Sequence, residues 1–172
     1  MDDLLRDRVE TALKRAESQY VEIHIEEANS SGIRYRGKDL EEIGRGSALG
    51  GNVRALAGGG WGFSSFNDIK DLESKIDQAI QQARIIGGEK IDLAEVPTVV
   101  DHVPPVIGTD PSGLTLAEKK DVLDEYAEIM MKNPGIQSSS IGYSDARRRM
   151  VFASSEGSYI DQERVDVNMR IN

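Results

Sequence analysis

"GGNVRALAGGGWGFSSFND", Gly50 to Asp68, decides the fold, because it reads either as a phosphate cradle or as a hairpin. A P-loop needs G-x-x-x-x-G-K-[ST], so that backbone N–H groups wrap the phosphates while Lys and a hydroxyl complete the site. No Lys lies between Lys38 and Lys70. A dinucleotide fingerprint needs a third glycine at the mouth of a helix. Here Gly60-Trp61-Gly62 is followed by Phe63, Ser64 and Ser65. The hairpin reading fits better. Val53, Ala55 and Ala57 alternate with Asn52, Arg54 and Leu56, and Gly58-Gly59-Gly60 supplies the φ > 0 positions of a tight turn. The spacing therefore predicts that residues 53–57 pair antiparallel with residues 61–65. Ala55 and Ala57 leave room for a large ring, so Trp61 or Phe63 is expected to pack inward. Beside a glycine tip, Trp61 and Phe63 with Arg54 form the alternative, a contact patch for a substrate or partner.

Outward from the hairpin, Asn67 or Asp68 caps a helix whose apolar positions are Ile69, Leu72, Ile76, Ala79, Ile80 and Ala83, ending at Gly87-Gly88. Upstream, Leu5, Val9, Ala12, Leu13 and Ala16 give an amphipathic helix over about residues 3–18. "YVEIHIEEA" then alternates with period two. Asn29-Ser30-Ser31-Gly32 reads as a turn into a second strand at Ile33 and Tyr35, and Gly37-Lys38-Asp39 as another turn into a short strand, Leu40 to Ile43. Residues 89–111, with four prolines, read as an extended connection. Thr115 and Glu118 make a capping box for a helix stopped by Asn133-Pro134-Gly135, with Leu116, Val122, Leu123, Tyr126, Ile129 and Met130 as its inward face. Strands follow over 136–144, 150–154 and 158–171, with turns at Asp145-Ala146-Arg147 and Ser155-Glu156-Gly157. The fold class is α+β: a mixed, largely antiparallel, curved sheet with about three helices. Residues 1–88 and 112–172 form two sub-parts joined by the Pro-rich connection, each a helix with hairpin strands. The last strand runs to Asn172 without a stop signal, so the chain reads as ending in mid-architecture.

A chain of 172 residues can bury roughly 70% of its unfolded surface. Only 5% of residues are aromatic, so the core must rest on Ile, Val, Leu and Ala. The 30 acidic residues against 21 basic give a net charge of −9, which opposes binding to nucleic acid and to anionic membranes. The absence of cysteine excludes disulfides, thiolate nucleophiles and zinc–thiolate sites. The N-terminus is charged throughout, with no apolar run of a signal peptide or a membrane span, and a cytoplasmic location is expected.

Candidate chemistry is sparse. His24 lies between Glu22 and Glu26 at same-face spacing, a possible metal triad, although a charged strand face is far commoner. His102 beside Asp101 lacks a serine or cysteine nucleophile to serve. Glu41, Glu42, Asp121, Asp124 and Glu125 read as solvated acids. Arg147, Arg148 and Arg149, placed at a hairpin tip, alternate sides and make no single cluster. No catalytic or metal-binding residue is assigned.

The ordered motifs resemble the N-terminal region of the TldD/PmbA family, once called modulators of DNA gyrase and regarded as metallopeptidases. They are "YVEIHIEE", "LEEIGRGSALGGNVRALAGGGWGFSSFND", "TDPSGLTLAEKKDVL" and "IGYSDARRRMVFASSEGSYIDQERVDVNMRI". Asp110-Pro111 leading into a Glu-Lys-Lys helix looks more like the TldD branch. The resemblance implies a zinc site, H-E-x-x-x-H with a distant Cys, downstream of the matched region. It also implies a dimer with a homologous TldD/PmbA-type subunit around a peptide substrate. This sequence has neither a His-Glu pair nor a Cys, so no family catalytic residue maps onto it, no cofactor is expected here and the chain alone is expected to be inactive. The expected role is that of a non-catalytic N-terminal domain, its C-terminal peptidase domain absent, which helps to hold peptide or the partner subunit. The alternative is a free-standing binding or regulatory module.

Overall fold

The computed structural model describes residues 2–172, with side chains from Leu4 onward. In chain order the elements are α1 (Asp2–Lys14), β1 (Tyr20–Arg36), β2 (Asp39–Ala57), β3 (Gly60–Phe66), α2 (Leu72–Ile86), β4 (Val100–Val103), α3 (Leu116–Met131), β5 (Ser140–Ser154) and β6 (Tyr159–Ile171). Short 3₁₀ turns precede α2 and α3. The strands form one open sheet in the order β3-β2-β1-β5-β6-β4. It is mixed and mostly antiparallel, with β4 running parallel to β6. The α+β expectation holds.

The glycine-rich stretch is a hairpin. Val53 pairs with Ser64, Ala55 with Gly62 and Ala57 with Gly60. The turn is tighter than the sequence reading placed it. Gly58 and Gly59 alone make the tip, both at positive φ (61° and 76°), while Gly60 already belongs to β3. Two such residues suit the turn whose twist matches the flanking strands.

The glycines of β3 have a second purpose. Gly60, Gly62, Ser64 and Phe66 point inward, and a Cβ on Gly62 would collide with the Ala79 carbonyl of α2. On Gly60 it would collide with the Ala83 carbonyl. The helix backbone therefore lies directly on the strand, a close approach that only glycine permits. This corrects the expectation for the aromatic rings. Phe66 is the buried ring, at 4% exposure, whereas Phe63 is 53% exposed. Trp61 is half-buried, on the side of β3 away from α2.

Two predicted turns are absent, and one strand is longer than expected. Asn29-Ser30-Ser31-Gly32 lies within β1, 17 residues long, and the short strand expected over Leu40 to Ile43 runs on to Ala57 as β2, 19 residues long. Asp145-Ala146-Arg147 lies within β5, so the three arginines sit in mid-strand. In β1 the buried positions Val21, Ile23 and Ile25 and then Ser31, Ile33 and Tyr35 keep one phase across the polar break, which a turn would not allow. Conversely, the Pro-rich connection contains β4, a short edge strand with all four residues exposed.

Two compact units share these long strands. Unit 1 comprises residues 1–27, 49–103 and 149–162; unit 2 comprises 28–48, 104–148 and 163–172. Unit 1 packs α1 and α2 on the sheet through Val9, Val21, Ile23, Val53, Ile76, Ala79 and Val151. Unit 2 has a smaller core of Ile33, Tyr35, Leu123, Ala127 and Ile141. The capping box of α3 is present. Its inward face differs from the expected one: Lys119, Leu123 and Ala127 are buried, while Val122, Tyr126 and Ile129 are 50%, 41% and 64% exposed. Three residues at i, i+4, i+8 form one row, and that row, not the more apolar one, meets the sheet.

Candidate functional site

The patch proposed from the sequence is assembled on the side of the unit 1 sheet away from α2. The Arg54 guanidinium lies 4.6 Å from the centre of the Trp61 ring and 3.0 Å from the Glu22 carboxylate. The Tyr20 hydroxyl donates to the other Glu22 oxygen at 2.8 Å, and the Tyr20 ring meets Trp61 edge-on at 6.1 Å. Burial, with the hydrogen bond to Glu22, pushes the Tyr20 hydroxyl well above its ordinary range, so it stays a neutral donor. Three adjacent strands supply these groups at alternate positions, as period two requires. Phe63 lies on the same side of β3, opposite Arg54 in register, and is the exposed member. The result is a platform in which a fixed cation lies over an indole beside an exposed ring.

His24 belongs to the rim of this patch. Its Nε2 is 3.7 Å from Glu22 and its ring stacks obliquely on Phe152 at 5.0 Å. Glu22 is already taken by Arg54 and Tyr20, and no group of three or more His, Asp or Glu side chains among the described residues is placed to hold a metal ion. His24 and its neighbours therefore do not fit the zinc that the resemblance implies. His102, on β4, lies 3.8 Å from Asp161, whose carboxylate is gripped by Arg149 at 2.9 and 2.6 Å. Arg147 is likewise clamped between Asp110 and Glu163, and Arg148 lies near Asp166. Asp124 accepts from Lys120 and from Tyr35, bonds that hold its carboxyl below the usual range. Glu41 and Glu42 pair with Arg36 and Arg34 at the surface.

Sequence reading missed one cluster, in unit 2. The Lys119 ammonium, on a side chain only 3% exposed, donates to Asp145 at 2.6 Å and to the Ser31 hydroxyl at 2.9 Å. Ser31 in turn donates to Asp145 at 2.5 Å. Burial pushes the Asp145 carboxyl up, but hydrogen bonds from Lys119, Ser31 and Tyr143 outweigh it and hold the group below the ordinary carboxylate range. A hollow of about 360 Å³ opens onto this triad. One signal was available: Lys119 stands four residues before Leu123 on the row that packs inward.

Comparison with known proteins agrees with this architecture. The profile for PmbA/TldA metallopeptidase domain 1 matches residues 21–86, and that for the PmbA/TldA metallopeptidase central domain matches residues 109–172. The chain belongs to the TldD/PmbA family. A metalloprotease of Synechocystis is 32% identical over 158 residues, 91% of this chain and 34% of its own length. A metalloprotease of Methanocaldococcus jannaschii is 31% identical over 150 residues, 84% of this chain and 33% of its own length. The chain thus spans about a third of the length of these metalloproteases. Among solved structures, a protein from Bacteroides thetaiotaomicron described as a modulator of DNA gyrase superposes with a TM-score of 0.75 at 18% identity, covering 98% of this chain and 40% of that one. TldE from Thermococcus kodakarensis gives 0.65 at 13% identity, covering 98% and 38%. At these identities the structural matches speak for the fold.

Proposed function

We propose that this chain is the N-terminal, non-catalytic part of a cytoplasmic TldD-like zinc metallopeptidase, and that it holds an unfolded peptide or a homologous partner subunit. The hydrolytic zinc site belongs, on this reading, to the two-thirds of the relatives' length that the chain does not span. The observation that carries the holding role is the Arg54–Trp61 platform with Phe63 exposed beside it on the edge strand β3. Aromatic and Arg side chains dominate the energetics of protein contacts. An edge strand can also pair with an extended peptide, where backbone hydrogen bonds give sequence-tolerant affinity. No helix among the described residues is long and apolar enough to cross a membrane.

The test is a titration of the chain with a fluorescent unstructured peptide and, separately, with a TldE-type subunit. Saturable binding of either is expected, weakened about tenfold or more by Phe63→Ser at an unchanged melting temperature, and further by Arg54→Ala, which also strips Glu22 of a partner and lowers the melting temperature. Failure of both ligands to bind, or binding indifferent to these substitutions, overturns the role. In the same samples no peptide should be hydrolysed, and metal analysis should find no stoichiometric zinc. Tight 1:1 zinc lost on His24→Ala would move the metal site into this chain.

A further inference from the structure

The Lys119–Asp145–Ser31 triad has no part in the platform of unit 1. A buried ion pair is a poor stabiliser compared with apolar residues of equal volume, so its placement asks for another reason. The triad forms the floor of the 360 Å³ hollow, whose walls carry the Ser30 and Ser47 hydroxyls and the Arg45 guanidinium. Arg45 is exposed and donates to the Leu114 carbonyl at 2.8 Å, which braces the guanidinium at the hollow while leaving other N–H groups for a ligand. Two cations stand against one carboxylate here, so the lining is net positive in a chain of net charge −9.

We propose that this hollow is a binding site for a single carboxylate group of a peptide. The Arg45 fork matches the two oxygens of a carboxylate. The Ser47 hydroxyl serves as a further donor, and so does that of Ser30 once it turns from its long 3.5 Å contact with the Gly46 carbonyl, while the buried Lys119 ammonium offsets Asp145 with a charge that solvent does not screen. The sign and size of the charge select the ligand. One surplus positive charge balances a monoanion, whereas a phosphate dianion would bring a second charge against Asp145. The carboxylate can come from a chain terminus or from an Asp or Glu side chain, which share this chemistry. The inference stands apart from the Trp61 platform and holds whether or not that surface binds anything.

Amide chemical shifts of the ¹⁵N-labelled chain, titrated with tri-alanine, tri-alanine amide, N-acetyl-glutamate amide and inorganic phosphate, provide the test. Saturable shifts at Ser30, Ser47 and Lys119 are expected with tri-alanine, with N-acetyl-glutamate amide, or with both, and none with tri-alanine amide. The response to the first two decides between terminus and side chain. Arg45→Ala should weaken binding about tenfold or more, as loss of charge-assisted hydrogen bonds implies, with an unchanged melting temperature. Lys119→Met should abolish binding if the variant folds; if it does not, Ser47→Ala, a surface change, carries the same test with a smaller loss. Equal binding of the amide, tighter binding of phosphate, or an Arg45→Ala variant that binds as well as the parent overturns the proposal.

Discussion

Gly62 shows how much one hydrogen atom decides. Because its Cα hydrogen occupies the space where a Cβ would meet the Ala79 carbonyl, Gly62→Ala must push α2 away from β3. Overpacking of this kind costs about 1–3 kcal/mol, and chemical denaturation should show a lower midpoint with an unchanged slope. Trp61 behaves differently. It is half-buried, so Trp61→Ala should cost clearly less than the roughly 3–5 kcal/mol of a core ring, and its fluorescence should be partly quencher-accessible. A double-mutant cycle of Arg54→Ala and Trp61→Ala should return a coupling of about 0.5–1 kcal/mol for the cation–ring contact. The sequence made the hairpin legible through its alternation and glycines. It did not reveal which ring faces inward, because Gly60 was read as part of the turn and Gly62 as an ordinary strand position, neither as the floor under a helix.

At the scale of the element, α3 is the instructive case. Its start was legible, since Thr115 and Glu118 satisfy each other's backbone groups, and Thr115→Ala should cost about 1 kcal/mol. Its inward face was not, because the apolar content pointed to Val122, Tyr126 and Ile129 while the sheet took the row holding Lys119. Replacing Val122 and Ile129 by Gln should therefore move the melting temperature little, as surface changes stay within about 0.5 kcal/mol. The long strands were cut short in the reading for a related reason. Polar runs such as Asn29-Ser30-Ser31-Gly32 normally mark turns. Here that run lies where β1 passes from the core of one unit to that of the other, and Ser31 within it is buried for its bond to Asp145. A strand of 17 residues is about three times the usual length, so the prior favoured a break.

For the whole molecule, charge sets two expectations. At −9 the chain should not bind duplex DNA measurably at physiological salt, and a micromolar affinity with a steep salt slope would contradict this. Acid should weaken the fold in a defined direction. The carboxyls of Asp145 and Asp124 are depressed in the folded state, so their contribution is complete above the unfolded value near 4 and is lost as pH falls through the folded values. Thermal melts should be level from about pH 7 to 5 and decline below about 4. Asp145→Asn, which leaves the buried Lys119 charge without its counter-ion, should cost about 3–5 kcal/mol at pH 7. The variant should then lose less on acidification than the parent does.

The interleaving of the two units has a consequence for how the chain is made. Val151, Ala153 and Tyr159 complete a core begun by Val9, Val21 and Val53. A ribosome releases the chain from its N-terminus at about 5–20 residues per second, so the first three strands wait roughly 3–10 s after Val103 emerges before their last core partners follow. Throughout that interval β1 offers an unpaired edge and a half-built apolar face. The nascent protein should therefore engage chaperones during that interval, and slowing translation between Pro104 and Met150 should lengthen its exposure to aggregation while leaving the finished fold unchanged.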